Sequence, residues 1–179
     1  SWAFQHFYWD YAIGVVLLSL VTAFTLGSFG DQGRSFLSDI QQGSWQSFSS
    51  AFLGGVVFNF ANILLVVAIN ITGLAVAFPV GIGLALVIGV VVNYLATPSG
   101  NPVYLFAGLV LVVIAIVLDA FAYKSITAEK DKKTLYKGLA FSILAGIAMG
   151  FFYRFVAASM SLDFSAPETG KFTPYTAVV

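Results

Sequence analysis

Apolar residues run in blocks too long for a soluble core helix. Residues 51–71 and 74–96 are apolar almost throughout, and only Thr72-Gly73 separates them. Three more blocks follow the same pattern, at 11–29, 103–123 and 138–160. Crossing hydrocarbon as a helix takes about 20 apolar residues. The blocks are apolar all round, without the one-sided stripe of a half-exposed helix or the alternation of a strand. The expected fold is an all-α membrane protein, a polytopic bundle of transmembrane helices with five spans visible. The 179 residues are read as a single transmembrane domain. Pro174 leads into a further apolar stretch, and proline suits the first turn of a helix, so another span is expected to begin near 174.

Polar residues inside these blocks carry the candidate chemistry. Gly55, Asn59, Asn62, Val66 and Asn70 follow steps of three and four, so they share one helix face. An amide left unpaired in hydrocarbon costs several kcal/mol. Two readings fit Asn59 and Asn62. They line a solute site, offering donors and acceptors, or they hold helices together, as polar residues do in membrane bundles. Pro79, with Gly81 and Gly83 after it, frees the carbonyl of Ala75 and loosens the next turn. Such loosened helices occur at transporter sites, and a passive kink is the alternative.

Ser142, Gly146, Gly150, Arg154 and Ala158 lie four apart. Small residues at that spacing let helix backbones approach, so Gly55, Ser142, Gly146 and Gly150 are the expected packing positions. Arg154 is an ionisable residue within a span, hence a candidate site residue. Asp10 and Asp119 lie at the wrong depth to pair with it, which leaves Asp163 as the acid expected beside it. The other reading of Arg154 is an anchor that extends to the interface. The candidate substrate-binding set is therefore Asn59, Asn62, Pro79 and Arg154.

Charge sets the orientation. Charged residues are only 9% of the chain, against roughly 25% in soluble domains. Five lysines fall within 124–137, whereas 97–102 holds no basic residue. Short loops rich in lysine stay in the cytoplasm, so 124–137 is expected to be a cytoplasmic loop. Residues 1–10 and the Thr72-Gly73 turn are then cytoplasmic, and 30–50, 97–102 and 161–174 lie outside. A short interfacial helix is expected near Phe36–Ile40.

Enzyme chemistry finds no support. The chain has no cysteine and one histidine, which leaves no thiolate or multi-histidine metal site. Gly170-Lys171 lacks the other residues of a phosphate-binding loop. No pair of acids shares a bilayer plane. Zero net charge gives no reason to expect nucleic acid. No catalytic residue, metal or cofactor is expected.

Six short stretches occur in an order that resembles one family. They are Tyr8-Trp9-Asp10-Tyr11, Ala23-Phe24-Thr25-Leu26-Gly27, Gly54-Gly55-Val56-Val57 with Asn62, Gly73-Leu74-Ala75-Val76, Asn93-Tyr94 and Pro174-Tyr175-Thr176-Ala177. The chain resembles the ureide permease family, within the drug/metabolite transporter superfamily. That resemblance implies ten helices in two inverted five-helix repeats around a central cavity, with this chain supplying helices two to six. Plant members carry a Walker-A-like motif in their central loop, and this short loop has none. The resemblance implies a bacterial-type member in an inner membrane. Its expected function is a secondary transporter that moves a ureide, nucleobase or sugar-like metabolite by alternating access. Its expected partners are the bilayer, the small polar solute, a coupling proton or sodium ion, and the remaining helices of the same transporter. A non-transporting membrane subunit that uses the 142–158 stripe against a partner is the alternative, and a channel is a third reading.

Overall fold

The structure is a computed structural model that describes residues 4–29, 33–124 and 132–179. Among them lie α1 (Phe4–Phe24), α2 (Phe36–Gln42), α3 (Trp45–Thr72), α4 (Leu74–Ala96), α5 (Pro102–Lys124), α6 (Lys132–Ser159) and α7 (Pro174–Val178). The fold is all-α. Four of these helices carry windows long and apolar enough to cross a membrane: Trp45–Thr72, Leu74–Ala96, Pro102–Asp119 and Lys132–Ser159. The apolar part of the first helix, Tyr8–Phe24, is shorter.

Helix ends depart from the apolar blocks where local hydrogen bonding takes over. The first block was expected to run to residue 29, but α1 stops at Phe24. Its exit is a set of turns in which Gly27 N–H reaches back to the carbonyl of Thr22 at 2.9 Å. The Ser28 hydroxyl closes this exit. It donates to the Ala23 carbonyl at 2.7 Å and accepts from Phe36 N–H, the first amide of α2, at 3.1 Å. At the other extreme α3 begins at Trp45, six residues before the apolar run. Ser44 caps it, since its Oγ accepts Ser47 N–H at 3.2 Å, which satisfies an otherwise orphan amide. A 28-residue helix is about 42 Å long, longer than the roughly 30 Å hydrocarbon core, so α3 has length to spare for its polar first turn. Helix α6, also 28 residues, likewise takes in Lys132, Lys133 and Lys137. The expected 124–137 loop is therefore helical at both edges, and 125–131 lie outside the described residues.

The chain divides into two compact units, Ser1–Phe52 with Val156–Val179, and Leu53–Phe155. In the second unit, small residues set the spacing. Ala61, Leu65, Ala68 and Thr72 of α3 are buried, as are Ala77, Gly81 and Ala85 of α4. On α6 the buried set is Gly138, Ser142, Ala145, Gly146 and Gly150. A methyl on Gly146 would stand 2.6 Å from the Gly81 carbonyl oxygen, and one on Gly150 would stand 2.7 Å from Ile88 Cβ. Backbones thus meet directly where α4 crosses α6, the close approach that small residues permit. Helix α5 packs on α4, where Gly83 leaves room for Ile116 and Tyr94 meets Phe106 edge-on at 5.4 Å. Gly73, at φ 91°, turns α3 into α4 in a conformation open to glycine and strained for other residues.

In the first unit, Ala23, Phe36, Asp39, Ser47 and Phe172 are buried. Phe24 packs edge-on against Phe36, with ring centroids 4.9 Å apart, and Phe48 against Phe172 at 4.8 Å. The segment after α6 returns past its own helix end, with Ser161 N–H on the Phe172 carbonyl and Phe172 N–H on the Ser159 carbonyl, both at 2.9 Å.

Candidate functional site

Asn59 and Asn62 sit mid-way along α3, away from its packed face. Taking about 100° per residue, Asn62 lies about a quarter-turn from the Ala61–Leu65–Ala68 seam, and Asn59 lies nearly opposite it. Asn59 is exposed and Asn62 half-buried. Each side chain folds back on its own helix, Asn59 Nδ2 donating to the Gly55 carbonyl at 3.0 Å and Asn62 Nδ2 to the Phe58 carbonyl at 3.1 Å. Back-bonding is a common resting state for short polar side chains in helices. In Asn62 it engages one donor of an amide that offers two, with two acceptor lone pairs besides. Asn62 makes no hydrogen bond to another helix among the described residues. Phe58, whose carbonyl it uses, packs against Phe152 of α6, the rings tilted by 52° with centroids 4.9 Å apart. An aromatic pair therefore borders the amide.

Pro79 and Arg154 do not join this face. Helix α4 runs unbroken through Pro79, which is half-buried. Pro79 lies one turn from Gly83, on the side of α4 turned to Ile116 of α5 and away from the Gly81 seam. Arg154 is exposed and has no ion-pair partner among the described residues. Asp163, the acid expected beside it, instead accepts the amides of Ser165 and Ala166 at 2.9 and 3.2 Å and shapes its own turn. The four-residue spacing explains the departure. A step of four advances about 400°, so the stripe drifts about 40° at each step and has rotated about 120° between Ser142 and Arg154. Ser142, Gly146 and Gly150 stay within the seam, while Arg154 has turned out of it. Gly55 faces open space among the described residues, where an added methyl would touch nothing within 4 Å.

A second polar cluster escaped the sequence reading. Asp39, expected in an interfacial helix, is completely buried (0% exposed). Its Oδ2 accepts Thr173 N–H at 2.7 Å and Thr173 Oγ1 at 3.0 Å. Its Oδ1 accepts Gln42 Nε2 at 3.1 Å. Arg34 Nε stands 3.1 Å from the same oxygen, a charge contact outside hydrogen-bond alignment. Arg34 Nη2 donates to the Glu168 and Lys171 carbonyls at 2.7 and 3.0 Å. Thr173 is the residue before Pro174, and its hydroxyl also meets that of Thr176 at 3.1 Å. The available signal was an arginine and an acid five residues apart, Arg34 and Asp39, in a polar loop.

The ureide permease family model matches residues 7–142, more than half of the chain. This chain belongs to the ureide permease family. Ureide permease 1 of Arabidopsis thaliana is 31% identical over 130 residues, covering 72% of this chain and 33% of that protein. A probable ureide permease A3 of Vigna unguiculata is 32% identical over 149 residues, covering 77% of this chain and 39% of its own length. The chain thus spans about a third of the length of the curated relatives it matches. No solved structure matches it. Permease relatives and apolar helices together make it a multi-pass integral membrane protein of a transporter family rather than an enzyme family. Asn59, Asn62 and Pro79 fall inside the matched region, and Arg154 falls outside it.

Proposed function

We propose that this chain is part of a secondary transporter that moves a ureide, or a nucleobase or sugar-like solute of similar polarity, by alternating access. The observation that carries the reading is the asparagine face of α3. It lies at the centre of a 28-residue helix in a permease family, outside the buried Ala61–Leu65–Ala68 seam. A ureide is a run of amide N–H and C=O groups. An asparagine amide matches that pattern with both a donor and an acceptor, and binding exchanges one paired state for another. Asn59 and Asn62 are the solute-facing residues on this reading. Pro79, on the α5 side of α4, supplies a point of bending, and Arg154 holds α6 at the interface. A proton or sodium gradient drives uptake, and the remaining helices of the transporter complete the cavity. The short segment between α5 and α6 suits a bacterial-type member in an inner membrane, within the drug/metabolite transporter superfamily.

The test is Asn62→Leu in the full-length transporter, reconstituted in proteoliposomes with allantoin as the ureide probe. Leucine is at home in lipid and leaves the solute amides without partners. Uptake per folded molecule is expected to be lost while the protein still inserts and purifies. A pure packing role gives the opposite: a loss of roughly 0.6 to 2 kcal/mol in stability with normal uptake by what remains folded. That result would take Asn62 out of the site.

A further inference from the structure

We propose that the Asp39 cluster is a static clasp, which makes the end of α1, α2, the start of α3, the end of α6 and the start of α7 one rigid body throughout the transport cycle. The inference rests on the transporter reading, since only a transporter has a cycle for the clasp to survive.

The clasp holds main chain rather than side chains. Arg34 takes the carbonyls of Glu168 and Lys171. Gln42 takes the Lys171 carbonyl with Nε2 and the Gly170 N–H with Oε1. Ser47 Oγ and Ser44 N–H both donate to the Gly170 carbonyl, at 2.7 and 3.0 Å. Asp39 takes Thr173 N–H. Residues 168–173 are thereby fixed in path, and Lys171 Nζ reaches back to the Ala158 carbonyl near the end of α6. Steric contacts close the same corner independently. A methyl on Gly27 would stand 2.7 Å from Tyr175 Cβ, and Gly43 leaves room only for the ring of Phe172.

A gate must open often, so its contacts are exposed and few. Here opening would strip the fully buried Asp39 carboxylate of its partners and release several main-chain amides and carbonyls at once. Such a cluster is costly to open and suits a part that does not move. The conformational change of transport is then taken up outside this body.

The experiment uses the full-length transporter with its other cysteines replaced and carrying Ser44→Cys with Gly170→Cys. An ideal Cβ on Gly170 lies 3.4 Å from Ser44 Cβ, close to the roughly 3.8 Å of disulfides. Allantoin uptake is measured on one preparation after oxidation and again after reduction, which cancels any strain from the substitutions. Equal uptake in both states is the expected result. Uptake blocked by oxidation and restored by reduction would show that the corner opens, and would overturn the clasp. Deuterium exchange on the unsubstituted protein is the second measurement. The amides of Gly170 and Thr173 are expected to be among the slowest outside the spans, with allantoin or without it. Fast exchange there, or exchange that allantoin alters, would also overturn the clasp, whether or not the cysteine pair folds or crosslinks. If the parent protein moves no solute, the transporter reading falls, and the exchange result alone decides whether the corner is rigid.

Discussion

Single glycines in this chain differ sharply in what they do, and their surroundings decide it. Gly146 and Gly55 are both mid-helix glycines. A methyl on Gly146 would meet the Gly81 carbonyl at 2.6 Å, which is main chain and unable to swing aside. Gly146→Val is expected to cost about 1–3 kcal/mol or more, because overpacking forces backbones apart. A methyl on Gly55 meets nothing within 4 Å. Gly55→Ala is expected to leave stability unchanged or to raise it by up to about 1 kcal/mol, the helix-propensity gain. Melting temperatures of the two variants in the same detergent check the pair. Equal losses would mean that α4 and α6 do not meet at Gly146. Asparagines divide less sharply. Asn59, Asn62 and Asn93 each back-bond to the carbonyl four residues earlier, so their local geometry is alike. Position along the helix separates them, since Asn93 lies in the last turn of α4, whereas Asn59 and Asn62 lie mid-way along α3.

At the scale of elements, the surplus length of α3 and α6 bears on orientation. Each is about 12 Å longer than the hydrocarbon core, so one or both ends stand in the interface. The α6 surplus carries Lys132, Lys133 and Lys137, and the α3 surplus carries Gln46 and three serines, Ser47, Ser49 and Ser50. Lysines near a span resist translocation, so the start of α6 is expected to face the cytoplasm and the 97–102 connection the outside. Cysteines at Lys132 and Ser99, probed with an impermeant thiol reagent on intact cells, test this. Labelling at 99 and none at 132 is expected, and the reverse would invert the orientation. Elements also show why the apolar blocks mark helices better than helix ends. Ser28 ends α1 five residues before the apolar block does, and Ser44 starts α3 six residues before its own. Hydrogen-bonded caps set those ends, and hydropathy carries no information about caps.

At the scale of the molecule, the polar face of α3 and the small-residue seam divide the second unit between holding together and offering chemistry. Ala61, Leu65 and Ala68 bury the seam, and the asparagines stand outside it. A carrier built around such a face binds one solute at a time. Allantoin uptake by the full-length transporter is therefore expected to saturate with concentration and to vanish when both proton and sodium gradients are collapsed. Uptake that rises linearly and ignores the gradients would favour a channel.

The amino-acid sequence by itself determined the class of this protein. Apolar blocks of about 20 residues with few charges leave a chain little choice but helices in a bilayer, because every buried main-chain group must be paired within its own segment. Hydropathy adds up along the chain, so it can be read locally. Family membership is local in the same sense, since it rests on short stretches kept in order. Which residues meet was a different matter. The Gly146 approach to Gly81 depends on two helices that lie 65 positions apart in the chain. The Asp39 bond to Thr173 joins residues separated by 134. Sequence spacing placed Arg154 on the packing stripe, and the 40° drift at each four-residue step carried it off. It placed Asp39 in a short interfacial helix, and the chain returns to bury it. Burial and pairing depend on which distant segments come back to the same place. Only the tertiary structure decides that, because the free energy of a buried charge or a close backbone contact belongs to the pair and to neither segment alone.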